Sequence, residues 1–278
     1  MLEVADLTVR YPTPKGVVEA VRGVSFMAGA EKIGIVGESG SGKSTIGRAI
    51  LRLVPPPGVV AARRLSFDGI DLLGADSRTL RKIRGSRISM ILQDPKFSLN
   101  PVMPVGRQIE EAVVVHQRVG RAEARRRALA MLESVRIRDP ERVYGIYPHQ
   151  VSGGMGQRIM IAMMLVTGPD LLIADEPTSA LDVTVQKQVL TILDELVTSR
   201  GMGLILISHD LELVASFCHR VLVMYAGRIV EECGADALQQ ARHPYTQGLL
   251  ACLPRIAGPH GPLPTLKRDP SWAMSSVG

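Results

Sequence analysis

Residues Gly37 to Thr45 read GESGSGKST, and the run fits G-x-x-x-x-G-K-[ST] at every fixed position. Those residue types suit one task. Gly37, Gly40 and Gly42 let the backbone curl until its N–H groups face an anion, and Ser39 and Ser41 are small enough to leave the approach open. Lys43 has the reach to set a point charge on the outer phosphates of a nucleoside triphosphate such as ATP. The Ser44 hydroxyl is placed to ligate Mg2+, and Thr45 supports the loop.

A second set of chemical groups follows the apolar run Leu171 to Ala174, which ends in Asp175 and Glu176. Two carboxylates at the carboxyl end of a strand lie where sheets of this kind bind ligands. Successive strand residues point to opposite faces, so the two would divide the work: Asp175 holding Mg2+, and Glu176 orienting and deprotonating an attacking water. An acidic pair that merely caps the next turn accounts for the same residues, and only the phosphate loop upstream favours the catalytic reading.

Elements of definite type must position these groups. Lys32 to Val36 is a short apolar strand, and Thr45 to Leu53 has the composition of a helix, so the glycine loop lies between strand and helix as phosphate binding requires. Ahead of it, Leu2 to Phe26 reads as two strands around a Pro12–Gly16 turn, a small antiparallel unit. After Pro55 to Gly58, Arg64 to Asp71 and Ile88 to Leu92 continue the core in strand form. From Asp94 to Val166 the pattern turns helical, notably Val105 to His116 and Arg121 to Ser134, which predicts an inserted helical lobe. Strands return at Leu171 to Ala174, Gly203 to Ile207 and Arg220 to Met224, with a helix over Val183 to Thr198. This alternation predicts an α/β fold around a mainly parallel sheet. A helical piece runs from Gly234 to about Leu253, and the proline-bearing remainder reads as irregular.

Composition narrows the class further. The 278 residues supply ample apolar content for one large domain with an inserted lobe. Three widely spaced cysteines, Cys218, Cys233 and Cys252, make neither a metal clip nor a disulfide framework, which suits a reducing compartment. The first residues lack the pattern of a secretory signal or presequence, and no run approaches the ~18 apolar residues of a spanning helix. Membrane association is therefore expected only through a partner. The net charge of +6 does not by itself select nucleic acid, lipid or nucleotide. The densest basic run, Arg118 to Arg127, alternates with alanine and glutamate and reads as a solvated helix face rather than a nucleic-acid surface.

With the loop and the acidic pair in view, the sequence resembles the ABC ATPases over nearly its whole length. Val151 to Arg158, VSGGMGQR, is similar to that family's signature, upstream of Asp175 as in the family. Ser152, Gly153 and Gly154 would again form an anion site at a helix N-terminus. The resemblance implies that these groups complete the ATP site of a second subunit across a dimer interface. It also assigns Gln93 to the glutamine loop that senses Mg2+ and the permease, Ser179 to Asp182 to the loop joining the two sites, and His209 to the switch histidine that contacts the γ-phosphate. Tyr11 falls where the family stacks a ring on adenine, although an ordinary strand tyrosine fits equally. The implied fold is a P-loop core with an N-terminal antiparallel β unit and an inserted helical subdomain. On it residues 1–93 and 167–234 are the nucleotide-binding core, 94–166 the helical signature subdomain, and 235–278 a C-terminal extension.

Three stretches, QDPKFSLNP at Gln93 to Pro101, YPHQVSGGMGQR at Tyr147 to Arg158 and HPYTQGLL at His243 to Leu250, resemble the oligopeptide, dipeptide and nickel importers. That branch implies an ATP- and Mg2+-dependent hydrolase peripheral to the cytoplasmic face of the membrane. Its partners would be a related second ATPase, two transmembrane permeases and, indirectly, an extracytoplasmic solute-binding protein, with no nucleic acid. The helical lobe, with the residues from Gln93 to about Val105, would receive a permease helix. Met155 is usual in this branch, while Gly156 replaces a larger residue and would loosen the signature helix. The tail lacks the cysteine cluster of longer members, so no iron–sulfur centre is expected. Competing readings are a nickel or opine-like importer, a non-transport ABC ATPase acting on DNA or ribosomes, and a module that binds ATP without turnover.

Overall fold

Apolar residues alternate at Leu2 and Val4, then slip by one to Leu7 and Val9, and the backbone records that slip as a bulge in β1 (Leu2–Thr13). Asp6 takes up the extra residue at φ 53°, so all four apolar side chains stay buried. The computed structural model describes residues 1–93, 98–179, 181–253, 269 and 272. Contacts group them into two units, 1–75 with 205–278, and 76–204.

In the first unit β1 pairs antiparallel with β2 (Gly16–Ala28), as the turn at residues 14 and 15 dictates. Its sheet also takes β4 (Val59–Ala61), β5 (Arg64–Phe67) and β6 (Ile70–Asp71). The stretch from Arg64 to Asp71, expected in strand form, is thus a hairpin. Asp68 and Gly69 both have positive φ, 46° and 79°, the conformation a two-residue turn demands. Because β5 pairs with β1, Leu2 opposite Phe67, the segment joins the antiparallel sheet rather than continuing the parallel core.

Strand β3 (Lys32–Val36) runs parallel to β10 (Arg220–Tyr225), which turns back antiparallel into β11 (Arg228–Gly234), a strand that the sequence analysis did not anticipate. Helix α1 (Lys43–Ile50) follows β3 and stops earlier than Leu53. Arg52 adopts φ 51°, and the amides of Leu53 and Arg52 donate to Arg48 O and Ala49 O at 2.7 and 2.9 Å, satisfying the last carbonyls.

The second unit holds α2 (Ser77–Ile83), α3 (Val105–His116), α4 (Arg121–Ser134), α5 (Pro140–Gly145), α6 (Gly153–Leu165) and α7 (Val183–Ser199). Strand β7 (Ile88–Ile91) runs parallel to β8 (Leu171–Asp175). Ile109, Val113, Ala128, Leu132, Ile159 and Leu165 are buried within the helices of this unit. The arginines of α4 behave as a solvated face: Arg126 and Arg127 pair with Glu123, and Arg125 with Glu141. In the first unit the end of β9 (Gly203–Ser208) leads into α8 (Leu211–Phe217), and the residues after Gly234 belong there too. The helical piece expected after Gly234 divides into a 3-10 turn, Leu238–Gln240, and α9 (Pro244–Ala251), whose proline occupies the first turn, where its missing N–H costs nothing.

No helix among the described residues is long and apolar enough to cross a membrane. Residues 94–97, which open the expected permease groove, Ala180, and most of the tail after Leu253 lie outside the described residues.

Candidate functional site

In the first unit the glycine loop joins β3 to α1 in a shape that side chains would obstruct. Gly42 has φ 100°, and a Cβ there would come within 2.2 Å of Ala20 O, while a Cβ on Gly37 would come within 2.1 Å of Met224 O. Both positions demand glycine for space as well as for conformation. Lys43 is 5% exposed, and its Nζ donates to Gly37 O and Glu38 O, both at 2.8 Å, so the ammonium is held across the loop. Ser41 N donates to Glu38 O at 3.2 Å.

The loop fits an anionic ligand on two observations. Ser41 Oγ is buried with no hydrogen-bond partner among the described residues. Helix α1 begins at Gly42 with no side-chain cap and no acidic residue in its first turn, so its positive end is left for a ligand. Ser39 and Gly40 are exposed at the loop's rim, and Ser44 and Thr45 are half-buried in the first turn.

His209 follows β9. Its neighbours serve as structural links: Asp210 N donates to Ser208 Oγ at 3.0 Å, and Asp210 Oδ1 accepts from Leu213 N at 2.9 Å to cap α8. His209 is exposed and lines, with Gly37, Glu38 and Ser39, a cavity of about 400 Å3 closed on another side by Leu249 and Leu253. The loop and the histidine, distant in sequence, therefore share one cavity. Tyr11 packs elsewhere in this unit, its ring edge where a Cβ on Gly58 would come within 2.7 Å.

In the second unit the parallel register of β7 and β8 sets Ile91 beside Ala174, which carries Gln93 level with Glu176 two residues on. Gln93 Nε2 donates to Glu176 Oε2 at 3.2 Å. Asp175 is 3% exposed, whereas Glu176 is half-buried and takes φ 46°, an uncommon conformation for a residue with a side chain. The adjacent carboxylates thus occupy different surroundings. Gln93, Asp175 and the Ser44 hydroxyl are all hard oxygen donors, the chemistry Mg2+ selects.

Ser152 caps α6, its Oγ accepting from Met155 N at 3.3 Å. Ser152 and Gly153 are exposed, and a Cβ on Gly153 would meet nothing within 4 Å. Gly154 differs, because a Cβ there would come within 2.6 Å of Val185 Cγ1 on the first turn of α7. Asp182 caps α7, its Oδ1 accepting from Thr184 N and Val185 N at 3.0 Å. Gly156 is buried inside α6, and the helix continues unbroken through it.

Contacts to the loop that were not foreseen include the carbonyls of Ala20 and Met224, the amide of Gly227, which donates to Ser41 O at 3.0 Å, and the hydroxyl of Tyr245 on α9, which accepts from Glu38 N at 3.1 Å. Backbone carbonyls leave no trace in residue type. Tyr245 stood inside the HPYTQGLL stretch but carried no assigned role.

A family model described as ABC transporter matches residues 22–179. The chain is 49% identical over 270 residues to the probable peptide ABC transporter ATP-binding protein of Sinorhizobium fredii, covering 96% of this chain and 81% of the relative. It is 47% identical over 259 residues to the oligopeptide transport ATP-binding protein OppD of Bacillus subtilis, covering 92% and 72%. Among solved structures it is similar to a dimeric ATP-binding cassette in a post-hydrolysis state bound to ADP and Pi. There the TM-score is 0.74 at 29% identity, over 84% of this chain and 99% of the other.

Proposed function

The chain belongs to the ABC transporter family as an ATP-binding, ATP-hydrolysing cassette, and from that premise we propose that it powers the import of peptides through a membrane permease. The observation that carries the chemical part is the buried Ser41 Oγ, unpartnered among the described residues, in a loop whose lysine is held across it ahead of a helix N-terminus with no side-chain cap. Such a loop is organised for a phosphate chain. The cargo follows from the relatives, whose names specify peptide, oligopeptide and dipeptide transport.

In this reading Gly37, Ser39, Gly40, Ser41, Gly42 and Thr45 shape the phosphate cradle, Lys43 binds the β- and γ-phosphates, and Tyr11 stacks on adenine. Ser44, Gln93 and Asp175 hold Mg2+, which when bound would screen the charge on the phosphates. Glu176 takes the proton of the attacking water, and His209 contacts the γ-phosphate from across the cavity it shares with the loop. Ser152, Gly153, Gly154 and Asp182 serve the ATP of a second, related subunit, so that ATP closes the dimer. The helical lobe at 94–166 passes that closure to two permease subunits at the cytoplasmic face of the membrane.

One experiment tests the base and the assembly together. Tagged chain carrying Glu176→Gln is purified from gently solubilised membranes with ATP and compared with wild type. Hydrolysis should fall about 10²- to 10⁴-fold while ATP stays bound. Two permeases and a second ATPase should accompany it. Undiminished turnover would remove Glu176 as the base, and a chain isolated without membrane partners would overturn the transporter reading.

A further inference from the structure

We propose that Tyr245 is a positioning residue for the phosphate loop, its hydroxyl fixing the Gly37–Glu38 peptide in the orientation that places Lys43. The inference rests on reading Gly37 to Thr45 as the ATP site and deepens it. The N–H of that peptide, Glu38 N, donates to Tyr245 Oη at 3.1 Å, and the carbonyl of the same peptide, Gly37 O, accepts from Lys43 Nζ at 2.8 Å. One peptide plane thus links the tyrosine on one side to the ammonium on the other. Rotating it would break both bonds at once, and two hydrogen bonds on one peptide polarise each other.

Tyr245 is held firmly enough for this role. Its side chain is fully buried, and its ring lies 4.5 Å from that of Tyr225 and 6.0 Å from that of Trp272. The start of α9 is fixed by its own sequence. Glu231 Oε1 accepts from Arg242 N and His243 N at 2.6 and 3.2 Å, His243 Nδ1 accepts from Tyr245 N at 3.2 Å, and Pro244 opens the helix. The histidine caps, the proline starts the helix and the tyrosine reaches the loop, so the first three residues of HPYTQGLL act as one strut from β11 to the phosphate cradle. Thr246 provides an internal contrast: it is fully buried like Tyr245, yet its Oγ1 has no partner among the described residues.

The test uses the full chain with Tyr245→Phe, which deletes only the hydroxyl, and Thr246→Val as a neighbour of equal burial. ATP affinity is titrated with a fluorescent ATP analogue, and hydrogen exchange of the Glu38 amide is followed alongside thermal unfolding. Tyr245→Phe should weaken binding about fivefold, the effect of one ordinary hydrogen bond, and expose the Glu38 amide to exchange. Thr246→Val should leave both unchanged. Wild-type affinity in folded Tyr245→Phe would overturn the assignment. So would a Glu38 amide that exchanges in the wild-type chain as fast as an unbonded loop amide, a measurement that needs no variant to fold. Failure of the wild-type chain to bind ATP would instead overturn the reading of the loop itself.

Discussion

The chain carries two glycine-bearing helix starts, and they are built in opposite ways. At α1 the cap is Gly42 in a left-handed conformation with no side-chain bond, and the loop that leads to it is walled from far along the chain: Ala20 O against Gly42, Met224 O against Gly37 and the Tyr245 hydroxyl on Glu38 N. At α6 the cap is Ser152, bonded three residues on to Met155 N, and Ser152 and Gly153 are exposed. The first start is half-buried and shaped by its own fold before any ligand arrives. The second is an ordinary local cap facing outward, the exposure that the proposed site shared with a second subunit requires.

That contrast makes Gly42→Ala the most damaging of the small changes. It forces a side chain into positive φ and against Ala20 O, at about 1–3 kcal/mol for the backbone alone with the clash in addition, and should cost both stability and ATP affinity. Thermal unfolding and nucleotide titration would read it. A Gly42→Ala chain as stable as wild type would mean the loop is not preshaped. Ser152→Ala should lose about 1 kcal/mol of stability through its lost cap, with ATP affinity of the isolated chain unchanged. A fall in that affinity would break the separation of the two starts. Gly153→Ala should be neutral or stabilising by up to about 1 kcal/mol, since its Cβ meets open space within a helix.

The smallest effect concerns pH and reaches the first start through α9. Burial holds the proton affinity of His243 below its ordinary value of about 6.5, with Glu231 opposing in part. Its Nδ1 must stay unprotonated to accept from Tyr245 N. The unfolded chain takes up a proton near pH 6.5 while the folded chain resists it, so this stability is complete above that pH and declines as pH falls below it. His116, lowered by burial, adds the same sign. Unfolding temperatures between pH 8 and 5.5 should fall on the acid side. A flat profile would show that the cap of α9 does not depend on a neutral imidazole.

Much of this was legible in residue order. The strand at Lys32–Val36 appears where an apolar run places it, buried on both faces, and the helices Val105–His116 and Arg121–Ser134 appear where the helical pattern places them, each with one buried face. Arg64 to Asp71 is strand-like as its residues indicate, but the Asp68-Gly69 turn that folds it into a hairpin, and the antiparallel sheet it joins, do not follow from the β-type residues on either side. Strands β4 and β11 were missed for want of strong alternation; their place comes from partners in the sheet.

The sequence by itself determined which groups are available: the glycines, lysine and hydroxyls from Gly37 to Thr45, the Asp175–Glu176 pair, and the caps Ser152 and Asp182, whose bonds span three residues or fewer. Tertiary structure alone decided what surrounds them. The register of β7 and β8 sets Gln93 on Glu176, packing against Val185 makes Gly154 a spacer, and α9 brings Tyr245 to Glu38 from more than 200 residues away. Those contacts join backbone atoms or distant side chains, and periodicity reports only which face of an element is buried, never what it is buried against.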